Sequence, residues 1–446
     1  MAEVSAYDRL RLDDAQLCAL LATGRARREL QAVFGPADYA LLAALAQRAA
    51  RIKARACAPV YLLPGIMGTQ LGLARTAPLP PDLLWIDPQD IIAGRLTHLR
   101  FTDVPATPNA HRLVTLGAIP YTYLALQLRL RAAGFMVIMH QYDWRHSLVD
   151  LAAQFAARVR ADGAGQIMIV AHSMGGLIAR AALALPGMQG VQRLIALGVP
   201  QRGSFGAVQA LRGTYPVVRR LAALDRLHDA EALTAQVFGS LPSLYQLLPP
   251  QSYGAIPDLH DAQAWPHTGL RPDATLLQGA RGFIDSLPPP DSRYCSIAGT
   301  RQRTITGLWV ADDDFHYSIG DAGDGTVPLK SATLAGCANY YLRCEHSELP
   351  RSVSVARALR DLLLTGSTAS LASVPNAISA HAAARRQVSV SDQLLRSTWT
   401  EKTDWPKLTP AARREYLNQL NQPPPHYAAP RARRSIARSN TRRTQP

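Results

Sequence analysis

The chain has 446 residues, 48% of them hydrophobic, enough for one large domain with insertions and a substantial core. Its formal charge of +15 suggests a nucleic-acid partner until it is located: Ser367 to Pro446 holds 13 Lys/Arg against 4 Asp/Glu, so most of the basicity belongs to the tail. No apolar stretch reaches the ~18 residues of a membrane-spanning helix, and the five cysteines (Cys18, Cys57, Cys295, Cys337, Cys344) show neither CxxC nor metal-ligand spacing.

The start, "MAEVSAYDRLRLDD", places acids where an export signal would be basic and then apolar. A reducing, cytoplasmic location is therefore expected. Residues 1–57 alternate charged and aliphatic positions at helical spacing, with a break at Gly35-Pro36, and predict a helical N-terminal extension. Its basic end, Arg48, Arg51, Lys53 and Arg55, reads first as a solvated helix face and second as a contact for an anionic membrane surface.

From 58 to 366 short apolar runs alternate with helical segments: Val60–Leu63, a helix near 121–133, Phe135–Met139, a helix near 149–161, Ile167–Val170, a helix after Gly176, and Leu194–Leu197. This rhythm predicts an α/β fold, a mostly parallel sheet with helices on both faces. After Gly198 it stops for roughly ninety residues, so 205–290 is expected to be a cap inserted into the sheet. Cys295–Gly299 and Tyr340–Arg343 restore strands, and Val353–Leu364 closes the core as a helix. Residues 367–446 predict a basic, largely disordered tail with one short helix near 409–420.

The chemistry centres on "IVAHSMGG", Ile169 to Gly176, where a buried strand turns at once into a helix. Small residues two before and two after a serine allow the strained strand-to-helix turn of a nucleophile elbow; here they are Ala171 and Gly175, around Ser173. A serine hydroxyl is a weak nucleophile and needs a base, a group that orients the base, and donors for the oxyanion. Asp324, in the glycine-rich turn "GDGTVP", is the candidate acid; Asp312, Asp313, Asp314 and Asp321 read as a solvated acidic loop or at most a weak cation site. His346 in "CEHSELP" follows the acid and precedes the last helix, in the chain order serine, acid, histidine. Among the twelve histidines, His316 precedes Asp324, and His381 and His426 lie in the tail. His172 is expected to orient or pack the turn. The break at Pro64-Gly65 in "YLLPGIMGTQL" offers the N–H of Met67, or of its neighbour Ile66, as an oxyanion donor beside that of Met174.

With these residues assembled, the sequence resembles the lecithin:cholesterol acyltransferase family of α/β-hydrolases. The likeness runs through "LLPGIMGTQL", "LWIDPQDIIAGRL", "QYDWRHS", "AHSMGGLIAR", "LGVPQRGS", "PSLYQLLP", "GDGTVP" and the His346 segment, roughly 59 to 365. The resemblance implies a Ser173-Asp324-His346 triad that moves an acyl chain from a phospholipid-like ester to an alcohol or water, with Met67 as upstream oxyanion donor and Trp85 in a lid over 72–110. Secreted members staple that lid with a cysteine pair, whereas no cysteine lies between Cys57 and Cys295 here, so the likeness does not extend to a stapled lid or a sterol acceptor. Leu83-Leu84-Trp85-Ile86 fits a lid that buries when closed and meets lipid when open. Tyr142, in Tyr142-Asp143-Trp144-Arg145, is assigned first to locking a loop and second to substrate contact.

The expected partner is a lipid ester, with transient membrane contact through the lid and basic segments. Nucleic acid is not expected, catalysis is predicted to need no metal or other cofactor, and the oligomeric state is left open. A general carboxylesterase, or a non-catalytic protein that docks membrane or nucleic acid on a hydrolase scaffold, stands as the alternative.

Overall fold

A computed structural model describes residues 14–55, 57–76, 79–102, 112–375, 388–397 and 402–420. Its strands are β1 (Val60–Leu63), β2 (Thr69–Leu73), β3 (Asp82–Trp85), β4 (Leu113–Ala118), β5 (Val137–Met139), β6 (Ile167–His172), β7 (Val191–Leu197), β8 (Tyr294–Thr300), β9 (Thr304–Ala311), β10 (Asp314–Gly320), β11 (Ala338–Arg343) and β12 (Val388–Ser391). Six of them form a parallel sheet in the order β11-β8-β7-β6-β1-β5. The middle strand β6 is buried at all six positions, which is why it reads as an unbroken apolar run. Helices Leu148–Ala161 and Met174–Ala182 share one core with Tyr61, Ile169 and Leu194, while Leu126, Val170, Ile297 and helix Val353–Thr365 build a second.

The predicted N-terminal extension consists of helices Asp14–Thr23, Arg27–Phe34 and Pro36–Arg51. Leu21, Leu30 and Leu42 bury against Leu124 and Leu128 of helix Pro120–Ala132, so this region is packed onto the sheet layer. Between β7 and β8 the chain makes only helices and turns, as expected of the cap. In the lid region, β2, β3 and β4 form a small antiparallel sheet in the order β3-β2-β4. Leu83, Leu84, Trp85 and Ile86 are all buried; 77–78 and 103–110 of the expected lid fall outside the described residues.

Two expectations are corrected. The acidic run at 312–314 is the turn of a β9–β10 hairpin: Asp312 and Asp313 take φ of 52° and 53°, as a tight hairpin turn demands of both central residues, and Asp314 is buried in β10. The tail does not leave the domain at 366. β12 pairs with β10, and helix Asp392–Ser397 follows it directly. The cause is electrostatic. Asp392 accepts from Arg212 Nε of the cap at 2.7 Å and from Tyr317 Oη at 2.7 Å, with both charged side chains fully buried. Farther on, Thr403 N–H donates to Ala223 and Tyr416 Oη to Arg220, so 402–420 lies across the cap. Disorder expected of the far end falls on 421–446, outside the described residues, as do His381 and His426.

Candidate active site

Ser173 sits where β6 ends, flanked by β1 and β7. Its backbone takes φ 53°, ψ −130°, a conformation that costs a non-glycine residue on the order of 1–3 kcal/mol and is held only by dense surroundings. Those surroundings explain the glycines. A Cβ on Gly175 would stand 2.3 Å from the Pro64 carbonyl oxygen, and one on Gly176 would stand 2.1 Å from Val199 Cγ2. The position two before the serine, Ala171, lies within β6 and admits a methyl group.

The Ser173 Oγ lies 2.9 Å from His346 Nε2, and His346 Nδ1 lies 2.7 Å from Asp324 Oδ2. All three side chains are buried. Asp324 is aimed by its own turn: Oδ1 accepts from the N–H of Thr326 at 3.0 Å and of Val327 at 2.7 Å, leaving Oδ2 for the imidazole. The main chain of His346 donates to the Asp324 carbonyl at 2.8 Å. Gly198, at φ 55°, leaves the space beside this pair; a Cβ there would lie 3.1 Å from both Asp324 Oδ2 and His346 Nδ1. An imidazole between a hydroxyl and a carboxylate can take the hydroxyl proton while the carboxylate fixes its tautomer.

The turn after β1 covers the serine. A Cβ on Gly65 would lie 2.8 Å from Ser173 Cβ, so only a glycine lets this backbone come so near. Met67 follows at φ 59°, and its carbonyl accepts from Trp85 Nε1 at 2.8 Å. Met174 is the first residue of its helix, a position whose N–H has no intrahelical acceptor. Gly65 N–H is engaged by Tyr123 Oη at 2.8 Å.

Above these groups lies an apolar cavity that holds Ser173 and His346 on its wall. Ile66, Met67 and Trp85 line one side, and Val217, Phe238 and Leu244 of the cap line another. Leu417 and Leu420 of the returning C-terminal segment also reach it. Trp85 therefore borders the cavity, edge-on to Trp144. Tyr142, the other candidate for substrate contact, does not border it: it is buried behind the turn and donates its hydroxyl to the Pro64 carbonyl. Arg145 pairs with Asp143 at 2.6 Å and reaches the carbonyls of Leu99 and Arg100, which makes this motif a brace for the segment expected to be a lid.

His172 is bound through Nδ1 to Tyr123 Oη and through Nε2 to the His346 carbonyl, and Tyr123 has no counterpart in the sequence reading. The two side chains meet through residues far apart in the chain, so no local pattern announces them. Among the described residues no three His, Cys, Asp or Glu side chains converge as a metal site would require, and no helix is long and apolar enough to cross a membrane.

A family model described as a PGAP1-like alpha/beta domain matches residues 134–220, the stretch that carries β5, β6, Ser173 and β7. No curated protein matches the sequence. Among solved structures, the chain is similar to Bacillus licheniformis lipase BlEst2 in its mature form at 14% identity, covering 71% of this chain and 95% of that one, with a TM-score of 0.35. A chain of the Tle4–Tli4 complex is 15% identical over 69% and 98% of the two chains, TM-score 0.44. Lipase 1 from Pelosinus fermentans is 12% identical over 70% and 98%, TM-score 0.33. These are distant likenesses; the parallel sheet with helices on both faces and the strand-to-helix turn at Ser173 give the chain the α/β-hydrolase fold.

Proposed function

We propose that the protein is a lipid-active serine hydrolase and O-acyltransferase, in keeping with the resemblance to the lecithin:cholesterol acyltransferase family. One observation carries the reading: a hydroxyl–imidazole–carboxylate chain, Ser173, His346 and Asp324, opens into an apolar, roofed cavity. His346 takes the Ser173 proton as Oγ bonds the ester carbonyl carbon, and the N–H groups of Met67 and Met174 receive the oxyanion. Collapse breaks the ester C–O bond. The leaving alcohol takes the proton from His346, and the acyl group stays on Ser173. Water or an acceptor alcohol then gives a proton to His346 as it bonds the acyl carbon, the acyl–Oγ bond breaks, and His346 returns the proton to Ser173 Oγ. Trp85 and the cap residues suit the acyl chain, and the basic surface of the N-terminal helices suits a transient contact with an anionic membrane.

The test compares p-nitrophenyl esters of increasing acyl length and phospholipid vesicles, with and without added alcohol, in the wild type and in Ser173→Ala. The reading expects long-chain preference, acyl transfer to alcohol, and loss of all of it in the variant. Short-chain preference without transfer gives the general carboxylesterase reading. A folded Ser173→Ala protein with full activity sinks both.

A further inference from the structure

We propose that Tyr123 and His172 are positioning residues that tie the oxyanion turn to the main chain of the base through three consecutive hydrogen bonds. The inference rests on the roles of Ser173 and His346 given above. Gly65 N–H donates to Tyr123 Oη at 2.8 Å, Tyr123 Oη and His172 Nδ1 are 2.9 Å apart, and His172 Nε2 lies 3.1 Å from the His346 carbonyl oxygen. That carbonyl can only accept, so His172 carries its proton on Nε2. Nδ1 then accepts, and the Tyr123 hydroxyl donates to it while accepting from Gly65. Each donor and acceptor of the chain is matched once, with a neutral imidazole. Burial, with His346 beside it, holds His172 well below the usual imidazole range, so the neutral form persists.

The placement distinguishes this chain from ordinary packing. Its members come from the β1–β2 turn, helix Pro120–Ala132 and the end of β6, and it ends on the residue whose Nε2 meets Ser173. A Cβ on Gly65 would lie 2.8 Å from Ser173 Cβ and 3.4 Å from His172 Nδ1, so the turn packs closely on both. The His172 and His346 rings lie 4.7 Å apart. Buried polar side chains at such positions are costly unless fully satisfied, and fully satisfied they fix one geometry. Here the geometry concerns both ends of the reaction: the Met67 N–H two residues beyond Gly65, and the height of the His346 imidazole over Ser173.

The experiment measures kcat and KM for a long-chain p-nitrophenyl ester, the rate of inactivation by a fluorophosphonate, and the thermal midpoint of the full chain. Tyr123→Phe removes the central hydroxyl. His172→Asn keeps an acceptor near Nδ1 but no donor for the His346 carbonyl, and His172→Gln reaches the Nε2 position with its amide N–H. A displacement of catalytic groups expects kcat and the inactivation rate to fall together by about tenfold to a hundredfold in Tyr123→Phe and His172→Asn, with KM little changed. His172→Gln should recover part of the loss. The Tyr123→Phe/His172→Asn double variant should lose no more than the worse single one, because both break one chain. Unchanged kcat in the folded single variants, or losses that multiply in the double, would overturn the relay. Should Tyr123→Phe fail to fold, the His172 pair decides: a higher kcat in His172→Gln supports the relay and equal kcat overturns it. An active Ser173→Ala protein would instead overturn the reading beneath it.

Discussion

The floor of the cavity is held by contacts between backbone and small residues, whereas its roof is held by long-range ion pairs and side-chain packing. On the floor, Gly175, Gly176, Gly198 and Gly299 leave no room for a methyl group, and Ser173 sits in a strained turn between two parallel neighbours. In the roof, cap helices are joined to the C-terminal return by Arg212, Asp314, Asp392 and Arg396, and Lys402 Nζ donates to the carbonyls of Ala222 and Asp225. Tight backbone packing fixes atoms to within tenths of an ångström, as proton transfer requires. Side-chain pairing spans larger gaps and encloses a cavity whose walls can vary in size. Under the proposed function, the floor sets the rate and the roof the choice of substrate.

The largest effect expected from breaking this division is on the floor. Ser173→Ala or His346→Ala should lower ester turnover about 10⁶-fold with little change in thermal midpoint, and Asp324→Asn about 10⁴-fold, read by steady-state kinetics on the folded variants. Next comes the roof's buried pair. Asp392→Ala leaves the fully buried Arg212 with Asp314, 3.5 Å away, as its remaining carboxylate partner, and should cost about 3–5 kcal/mol in urea unfolding. Gly299→Ala is smaller in stability, about 1–3 kcal/mol, yet should also lower kcat, because the new Cβ would stand 2.6 Å from both Asp324 Cβ and the Cys344 carbonyl. Val217→Trp narrows the cavity from the cap and should lower kcat/KM about tenfold for long acyl esters while sparing short ones.

A last effect is a pH slope from Asp90, between β3 and β4. Burial pushes the Asp90 carboxyl up to about 6 against the opposing charge of Arg95. Between 3.8 and about 6 the folded chain keeps a proton that the unfolded chain has released, so this group's contribution to stability is lost as pH rises through that window. Asp90→Asn should flatten the thermal midpoint over the same range; an unchanged slope would remove Asp90 as its source.

The floor was more legible in sequence than the roof, for the same physical reason. Parallel strands buried on both faces must be apolar throughout, and a strained serine turn must be flanked by small residues, so β6 and "AHSMGG" are visible one-dimensionally. Asp324 likewise shapes its own turn locally through Thr326 and Val327. The hairpin at 304–320 was not visible because its turn uses Asp312-Asp313 without glycine, which reads as a charged loop. Its signal was the alternation of Phe315, Tyr317 and Ile319, all buried. The C-terminal return depends on Asp392 finding Arg212, 180 residues away, and nothing near Asp392 in the chain marks it. Tyr123 was missed for the same cause: its partners Gly65 and His172 lie 58 and 49 residues off.

Labelling by a fluorophosphonate probe, with the modified residue mapped by mass spectrometry, tests whether Ser173 is the nucleophile. A single adduct on Ser173 is expected, absent in His346→Ala over the same exposure and blocked by a long-chain ester. An adduct on another serine, or an ester-hydrolysing protein that the probe leaves unmodified, would contradict it.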